Sequence, residues 1–473
     1  MKFRFTIILI LILGWGVLHA QTLIGTATPK AADSSQTVTV RNISLAGNKR
    51  TKTYIVEREY TFERGKTYDK KELDDRIELA RQQIVNTSLF VDVTVTKVDV
   101  GNGQADILIM VKERIYLIPV PFFKLVDRNF SDWVHTYKAS FDRVNVGIKL
   151  SQTNLTGRND KLNFFLSTGY AQNISFNYSA PYLDKKLRHG LSFGFGYSQT
   201  RDVNFATDSN KLLNIKEPNF ARKTFLGNIG YTYRKGSHDK QTVLLAYTSD
   251  KISDSIGKLN PDFFGGNKLG QSFVDLSYDY QLNYVDIRSY PLTGWLVDVS
   301  VLKRFSNNLG MLAFGGKALE SWKILPNSKT YFTVQAAGLI KFPSNQPYYN
   351  SHLMGYGDLQ MKGLEYYVID GSVGGYFRGM LRQKLFGFNF NTHLNSKTYH
   401  TIPFNFYLKT YSDIGYVYYK NAEITQSLLN NKLLHTGGFG VDIVTIYDIA
   451  FKIEYSFNQL GGHGFFFHTS ADF

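Results

Sequence analysis

Cysteine is missing from all 473 residues of this chain. Without it there is no disulfide framework, no cysteine-type zinc site, no thiol nucleophile and no cysteine to carry a lipid anchor. Proline is scarce, at 11 residues. Beyond the N-terminus no stretch is long and apolar enough for a membrane helix, which needs about 20 residues. The 10 histidines are scattered, with no H-x-x-x-H pair on a helical segment, so no metal and no other cofactor is expected. Gly190-Leu191-Ser192-Phe193-Gly194 has the spacing of a nucleophile elbow. Its serine falls inside an alternating strand, away from the strand-to-helix turn that elbow needs, and no enzyme is expected.

Acidic residues are the minority charge, with 39 Asp and Glu against 54 Lys and Arg, for a net charge of +15. In an exported chain such an excess suits phosphate-bearing lipid, a lumen or acidic partners, and no nucleic-acid partner is expected. Lys185, Lys186, Arg188 and His189 lie between two alternating segments and read as a hairpin loop.

Tyr (31), Phe (36) and Gly (40) are abundant. Leu191, Phe193, Phe195 and Tyr197 alternate with Ser192, Gly194, Gly196 and Ser198, and many later segments do the same. Period two puts the large apolar residues on one face of a strand and the small or polar ones on the other. A transmembrane β-barrel needs that pattern, because lipid touches one face and a wet lumen the other. From Phe122 to Phe473, at roughly 20–22 residues per strand and connection, the chain supplies about 16 strands.

The N-terminus reads differently. Lys2 and Arg4 precede an apolar run, Phe5 to Val17, and Leu18-His19-Ala20 ends in a small residue, so residues 1–20 are expected to be a signal peptide. Residues 21–36 read as a flexible lead-in. Residues 37–115 read as β-α-α-β-β: a strand at Val38–Ile43, a helix capped by Thr51, a helix from Asp69 to Asn86, and two strands split by Gly101-Asn102-Gly103. Glu72 is placed to complete a capping box with Asp69. Pro119 and Pro121 mark a linker, 116–121, ahead of the barrel at 122–473.

The segment 37–115 resembles a POTRA domain, the periplasmic module of the BamA/TamA-type outer-membrane assembly superfamily. The resemblance lies in Ile43 to Thr51 with its Gly47-Asn48 turn, in the Ile55-Val56-Glu57-Arg58-Glu59 helix, in Asn86 to Val93 around Phe90, and in Val111-Lys112-Glu113-Arg114. Further on, Asp286, Arg288, Pro291 and Gly294 are similar to the D-x-R-x-x-P-x-x-G turn of that superfamily. Gly355 to Gly371 is too glycine-rich and irregular for a strand, and looks like its long sixth loop, which folds into the lumen. Lys362-Gly363 stands where that loop carries Arg-Gly, and Tyr411-Ser412-Asp413-Ile414-Gly415 resembles the wall motif that receives the cation. The resemblance therefore implies a latch between Lys362 and Asp413. Phe377-Arg378-Gly379 also offers an arginine, but it lies after Gly371, inside what reads as the next strand. The terminal Phe473 resembles the signal read by the barrel-assembly machinery.

The resemblance implies a mainly β protein: one α+β POTRA domain in the periplasm and a barrel of about 16 strands in the outer membrane of a Gram-negative-type bacterium. It implies assistance to the insertion or translocation of client outer-membrane or exported proteins. A seam between the first and last strands, roughly Val144–Gln152 and Gly464–Phe473, is expected to open. A passive channel or surface antigen, and a dedicated exporter of one partner, are the alternatives.

Overall fold

The computed structural model describes residues 37–125, 144–357, 359–392, 401–445 and 449–469. The expected signal peptide, the lead-in and Phe473 lie outside them.

The N-terminal domain runs β1 (Thr37–Ala46), α1 (Thr53–Glu57), β2 (Thr67–Asp69), α2 (Lys70–Asn86), β3 (Phe90–Gly101) and β4 (Gln104–Glu113). Its sheet has the order β2-β1-β4-β3, with β1 parallel to β4. Strand β2 is an addition to the expected order, since 3 residues are too few to display a period. Helix α2 carries Leu73, Ala80 and Ile84 on one buried face, packed with Ile55, Ile107 and Ile109. Full burial of a large aliphatic side chain such as Leu73 or Ile84 contributes about 1.5–3 kcal/mol. Asp69 caps α2, accepting from the Lys71 N–H at 2.9 Å. Glu72 does not complete the box; its carboxylate receives Arg76 one turn later, at 2.9 Å. Thr51 does not cap α1 either, whose N-cap residue is Lys52. Instead Thr51 is buried, with its hydroxyl 2.9 Å from that of Tyr116.

Gly47 turns the chain out of β1 with φ +97, and a Cβ there would sit 1.8 Å from the Val111 carbonyl oxygen. Asn48 closes the turn by donating to the Thr51 carbonyl at 3.1 Å. Phe90, at the start of β3, is buried in the domain core.

The second sheet has sixteen strands, each antiparallel to its neighbours. Its first five are β5 (Leu117–Leu125), β6 (Val144–Thr153), β7 (Lys161–Gly169), β8 (Gln172–Ala180) and β9 (His189–Thr200). A separate hairpin follows, β10 (Asp202–Asp208) and β11 (Lys211–Lys216). The sheet resumes with β12 (Arg222–Tyr233), β13 (Asp239–Ile252), helix α3 (Asp254–Leu259), β14 (Gly270–Asn283) and β15 (Gly294–Phe305). Next come β16 (Met311–Lys323), β17 (Thr330–Phe342), helix α4 (Tyr348–Ser351) and the short pair β18 (His352–Met354) and β19 (Ile369–Asp370). It ends with β20 (Val373–Asn391), β21 (Thr401–Tyr418), β22 (Leu433–Val444), β23 (Ala450–Asn458) and β24 (His463–His468).

The segment expected as a linker, 116–121, is largely strand. Residues 117–121 belong to β5, which pairs with β6 from Leu117↔Gln152 to Leu125↔Val144. The two prolines fit because β5 is an edge of the sheet, where a missing N–H leaves no interior ladder broken. The first sheet strand is therefore Leu117–Leu125, and Val144–Thr153 is the second.

The sheet curls upon itself. Tyr290, in the turn after β14, reaches Asp442 on β22, its hydroxyl donating at 2.8 Å. Asn210, at the tip of the β10–β11 hairpin, accepts from the Leu428 N–H at 2.7 Å. The curl separates two faces. On β21, Leu408, Ile414 and Tyr416 are exposed and alternate with buried Tyr407, Lys409, Tyr411 and Asp413. Phe439 on β22 and Ile453 and Phe457 on β23 are likewise exposed, while Asp442 and Glu454 are buried. Apolar outside and charged inside is the polarity of a sheet that crosses a lipid bilayer.

Gly47→Ala should destabilise the N-terminal domain by about 2 kcal/mol or more, since strained φ and a backbone clash add. Amide exchange of the β1 and β4 core in the full chain reads this out as loss of protection confined to residues 37–113.

Candidate functional site

The site is the inner wall formed by β20 to β23 and the segment that lies on it. Asp413, Asp442 and Glu454 are 0% exposed and Lys409 is 1% exposed. Strand alternation aims all of them inward, and a buried charge needs a partner. Lys409 Nζ lies 2.5 Å from both Asp442 Oδ1 and Glu454 Oε1. Arg378 on β20 forks onto Asp413 on β21, its cross-strand neighbour, with both nitrogens at 2.7 Å.

Residues 352–357 and 359–371 cover this wall. Leu353, Met354, Met361 and Leu364 pack on Tyr376 and Val417. Polar contacts hold the tip. The Lys362 N–H donates to Asp413 Oδ2 at 2.9 Å, and Lys362 Nζ lies 2.5 Å from Glu454 Oε1. Arg378 also donates to the Gln360 carbonyl at 3.1 Å, and Asn458 donates to the Gly363 carbonyl at 2.7 Å. Gly415 lets the segment approach closely, because a Cβ there would stand 2.5 Å from Met361 Sδ.

The expected latch is thus redistributed. Lys362, Gly363, Asp413 and Gly415 do meet, but Lys362 reaches Asp413 through its main-chain N–H. The cation on Asp413 is Arg378, and the Lys362 ammonium goes to Glu454. The reason is geometric: a guanidinium on the adjacent strand can chelate both carboxylate oxygens, which an ammonium cannot.

The turn Asp286–Gly294 joins the same wall. Asp286 Oδ1 accepts from the Ile287 N–H at 2.8 Å and the Leu292 N–H at 3.0 Å, shaping the turn. Arg382 on β20 donates to the Pro291 carbonyl at 2.6 Å and stacks over the Tyr290 ring at 4.6 Å. Gly294 opens β15. On the other side, Asn86 at the end of α2 donates to the Asp286 carbonyl at 3.2 Å and accepts from the Arg288 N–H at 3.1 Å.

The N-terminal domain meets the sheet through several such turns. Tyr182 and Leu187, from the turn after β8, belong to its hydrophobic core. Leu187 comes from the basic cluster read in the sequence as a loop. Asn154 donates to the Thr51 hydroxyl at 2.9 Å, and Arg58 donates to the Tyr182 hydroxyl at 3.2 Å. Burial pushes the Glu59 carboxyl above its ordinary value, against the opposing pull of Arg234, Arg58 and His238. Burial likewise lifts the Tyr116 phenol to about 12. A cavity of about 310 Å³ remains between domain and sheet, lined by Glu59, Gln83, Lys161, Arg234, Lys240 and Arg288.

The opposite mouth is also covered. Asn210 donates to the Val368 carbonyl at 3.1 Å, tying the β10–β11 hairpin to the inserted segment. Phe263 and Phe264, beyond α3, pack with Tyr348 of α4. Ser192 lies within β9, where a Cβ on Gly230 would stand 2.5 Å from its hydroxyl.

Lys409, Asp442, Glu454, Arg382 and Tyr290 were not singled out from the sequence. A signal existed for the four on strands: each charged residue directly follows an apolar one, Leu408, Val441, Ile453 or Leu381. Their partners lie one or more strands away, and strand register is not written in single segments.

Residues 38–114 match the POTRA family, described as surface antigen variable number repeat. No curated protein sequence matches the chain. Among solved structures, BamA from Haemophilus ducreyi lacking POTRA domains 1–3 aligns at 15% identity and a TM-score of 0.49, over 91% of this chain and 83% of that one. CdiB from Escherichia coli aligns at 10% identity and a TM-score of 0.49, over 92% of this chain and 74% of that one. CdiB from Acinetobacter baumannii aligns at 12% identity and a TM-score of 0.45, over the same shares.

Arg378→Met leaves the Asp413 carboxylate buried without its fork and should cost about 3–5 kcal/mol. Lys362→Met still leaves Glu454 beside Lys409 and should cost less, about 1–3 kcal/mol. The temperature at which the folded band converts in a heat-modifiability gel should fall further for Arg378→Met; the reverse order would restore the Lys362–Asp413 latch.

Proposed function

We propose that this protein is an outer-membrane barrel of the BamA/TamA type that assists the insertion or translocation of polypeptides, with residues 37–115 as its periplasmic client-binding domain. One observation carries the reading: a continuous polar path joins the domain to the inserted segment. It runs from Asn86 through the 286–294 turn to Tyr290, Asp442, Lys409, Glu454 and Lys362. A client seated on the domain can therefore bias the segment, because both contact one packed set of charges.

Clients add as strands to the edge of β3, which is 12 residues long and ends the domain sheet on one side. Val98 and Val100 stand exposed there. The sheet edges β5 and β24 form the opening seam. Among the described residues, β24 has 6 where β20 has 19. Pro119 and Pro121, two apart, remove two donors from one side of β5. Both features favour a weak seam. A passive channel is disfavoured by the segment on the inner wall and by the covered mouths. The barrel-assembly machinery inserts the protein itself, and outer-membrane lipid surrounds it.

Depletion followed by quantification of the outer-membrane proteome separates the readings. Insertase activity should lower many barrel proteins together, since chains left uninserted are removed by proteolysis. Loss of one surface protein alone identifies a dedicated exporter. An unchanged proteome contradicts both.

A further inference from the structure

Strands β20 and β21 are 19 and 18 residues long, whereas a tilted membrane strand needs about 9–11. The excess lies at the end that faces the N-terminal domain. On one side, β17 begins at Thr330, opposite Gln383. On the other, β22 ends at Val444, opposite Asn405. Among the described residues, 385–391 and 401–404 therefore extend as a two-stranded ribbon beyond the rim, with Phe406 at its base.

The ribbon is two-faced. Phe386 faces Phe406, Phe388 faces Phe404 and Phe390 faces Ile402 across the ladder. The rings of Phe386 and Phe406 stack at 4.7 Å and those of Phe388 and Phe404 at 5.5 Å. Phe386, Phe388 and Phe390 are about half exposed, at 55%, 49% and 53%. The alternate positions are Gly387, Asn389 and Asn391, with Asn405 opposite Gly387.

The aromatic face continues the outer face of the sheet. On β21, Ile402, Phe404 and Phe406 keep step with exposed Leu408, Ile414 and Tyr416. On β20 a bulge between Lys384 and Phe386 restores the step, setting Phe386 to Phe390 in line with exposed Phe377 and Leu381. Trp322 and Phe332, with rings 5.2 Å apart, lie level with Leu381 and mark the aromatic girdle. The phenylalanines lie roughly 17–30 Å further along the strand, at about 3.3 Å per residue. A bulge bends the strand that carries it, and this one sits at the rim.

We propose that the ribbon 385–391/401–404 is a membrane-surface anchor. It folds against the periplasmic leaflet with its phenylalanines among the lipid headgroups and acyl ends, and its asparagines toward the periplasm. The occupant is lipid because the apolar face is continuous with the surface that lipid already covers. An isolated row of aromatic rings in water would be an aggregation edge, whereas one wet and one apolar face suit an element lying in the interface plane.

The absence of cysteine makes the test direct. Single Phe388→Cys, Asn389→Cys and Phe439→Cys variants of the full chain are labelled with bimane and reconstituted in phosphatidylethanolamine–phosphatidylglycerol vesicles containing spin-labelled lipid. Phe390→Cys and Asn391→Cys form a second pair should the first fail to fold. Quenching at 388 should exceed that at 389 by at least about twofold, as for the two faces of an interfacial element. A smaller difference, or none, overturns the anchor and leaves the ribbon as a protein-docking element. Phe439 lies on the belt of β22, so its quenching tests the membrane-barrel reading separately.

Discussion

Ionisable side chains crowd one small region of the inner wall: Lys362, Lys409, Asp442 and Glu454 are in contact, with the Arg378–Asp413 fork beside them. Charges so deeply buried are tolerated only together, since removing either member of a pair strands the other in a low-dielectric site. That requirement arranges much else. It demands that β20 to β23 stand in one register, because a slip by one residue would turn every charge toward lipid. It demands that the inserted segment return to the wall, because Lys362 supplies one of the cations.

The outer face obeys the converse rule. Phe439, Ile453 and Phe457 gain nothing from water and are exposed only because a bilayer replaces it. The two rules act on alternate residues of the same strands, so inner network and outer belt stabilise one geometry. The N-terminal domain is coupled to it through turns rather than through strands. Tyr182 enters the domain core, Asn86 grips the 286–294 turn, and Tyr290 carries that turn to Asp442.

Much of this was legible in the sequence. Alternation located the strands and their faces, Asp69 marked the start of α2, and Gly101-Asn102-Gly103 marked the β3–β4 hairpin. The irregular Gly355–Gly371 stretch announced a segment that lies outside the sixteen-stranded sheet. What was hidden depends on neighbours. Arg378 and Asp413 are 35 residues apart and become partners only through the β20–β21 register. Pro119 and Pro121 read as a linker because proline opposes strands; only the edge position of β5 removes the objection. Thr51 looked like a cap and serves instead at the junction, where Tyr116 and Asn154 claim its hydroxyl.

On this reading the lumen is held shut by the pinned segment, with both mouths covered. Single-channel recording in planar bilayers tests that most directly. The wild-type chain should be silent or show rare, brief openings, and Arg378→Met should open more often. A large, constitutive conductance from the wild-type chain, unchanged by Arg378→Met, would contradict it.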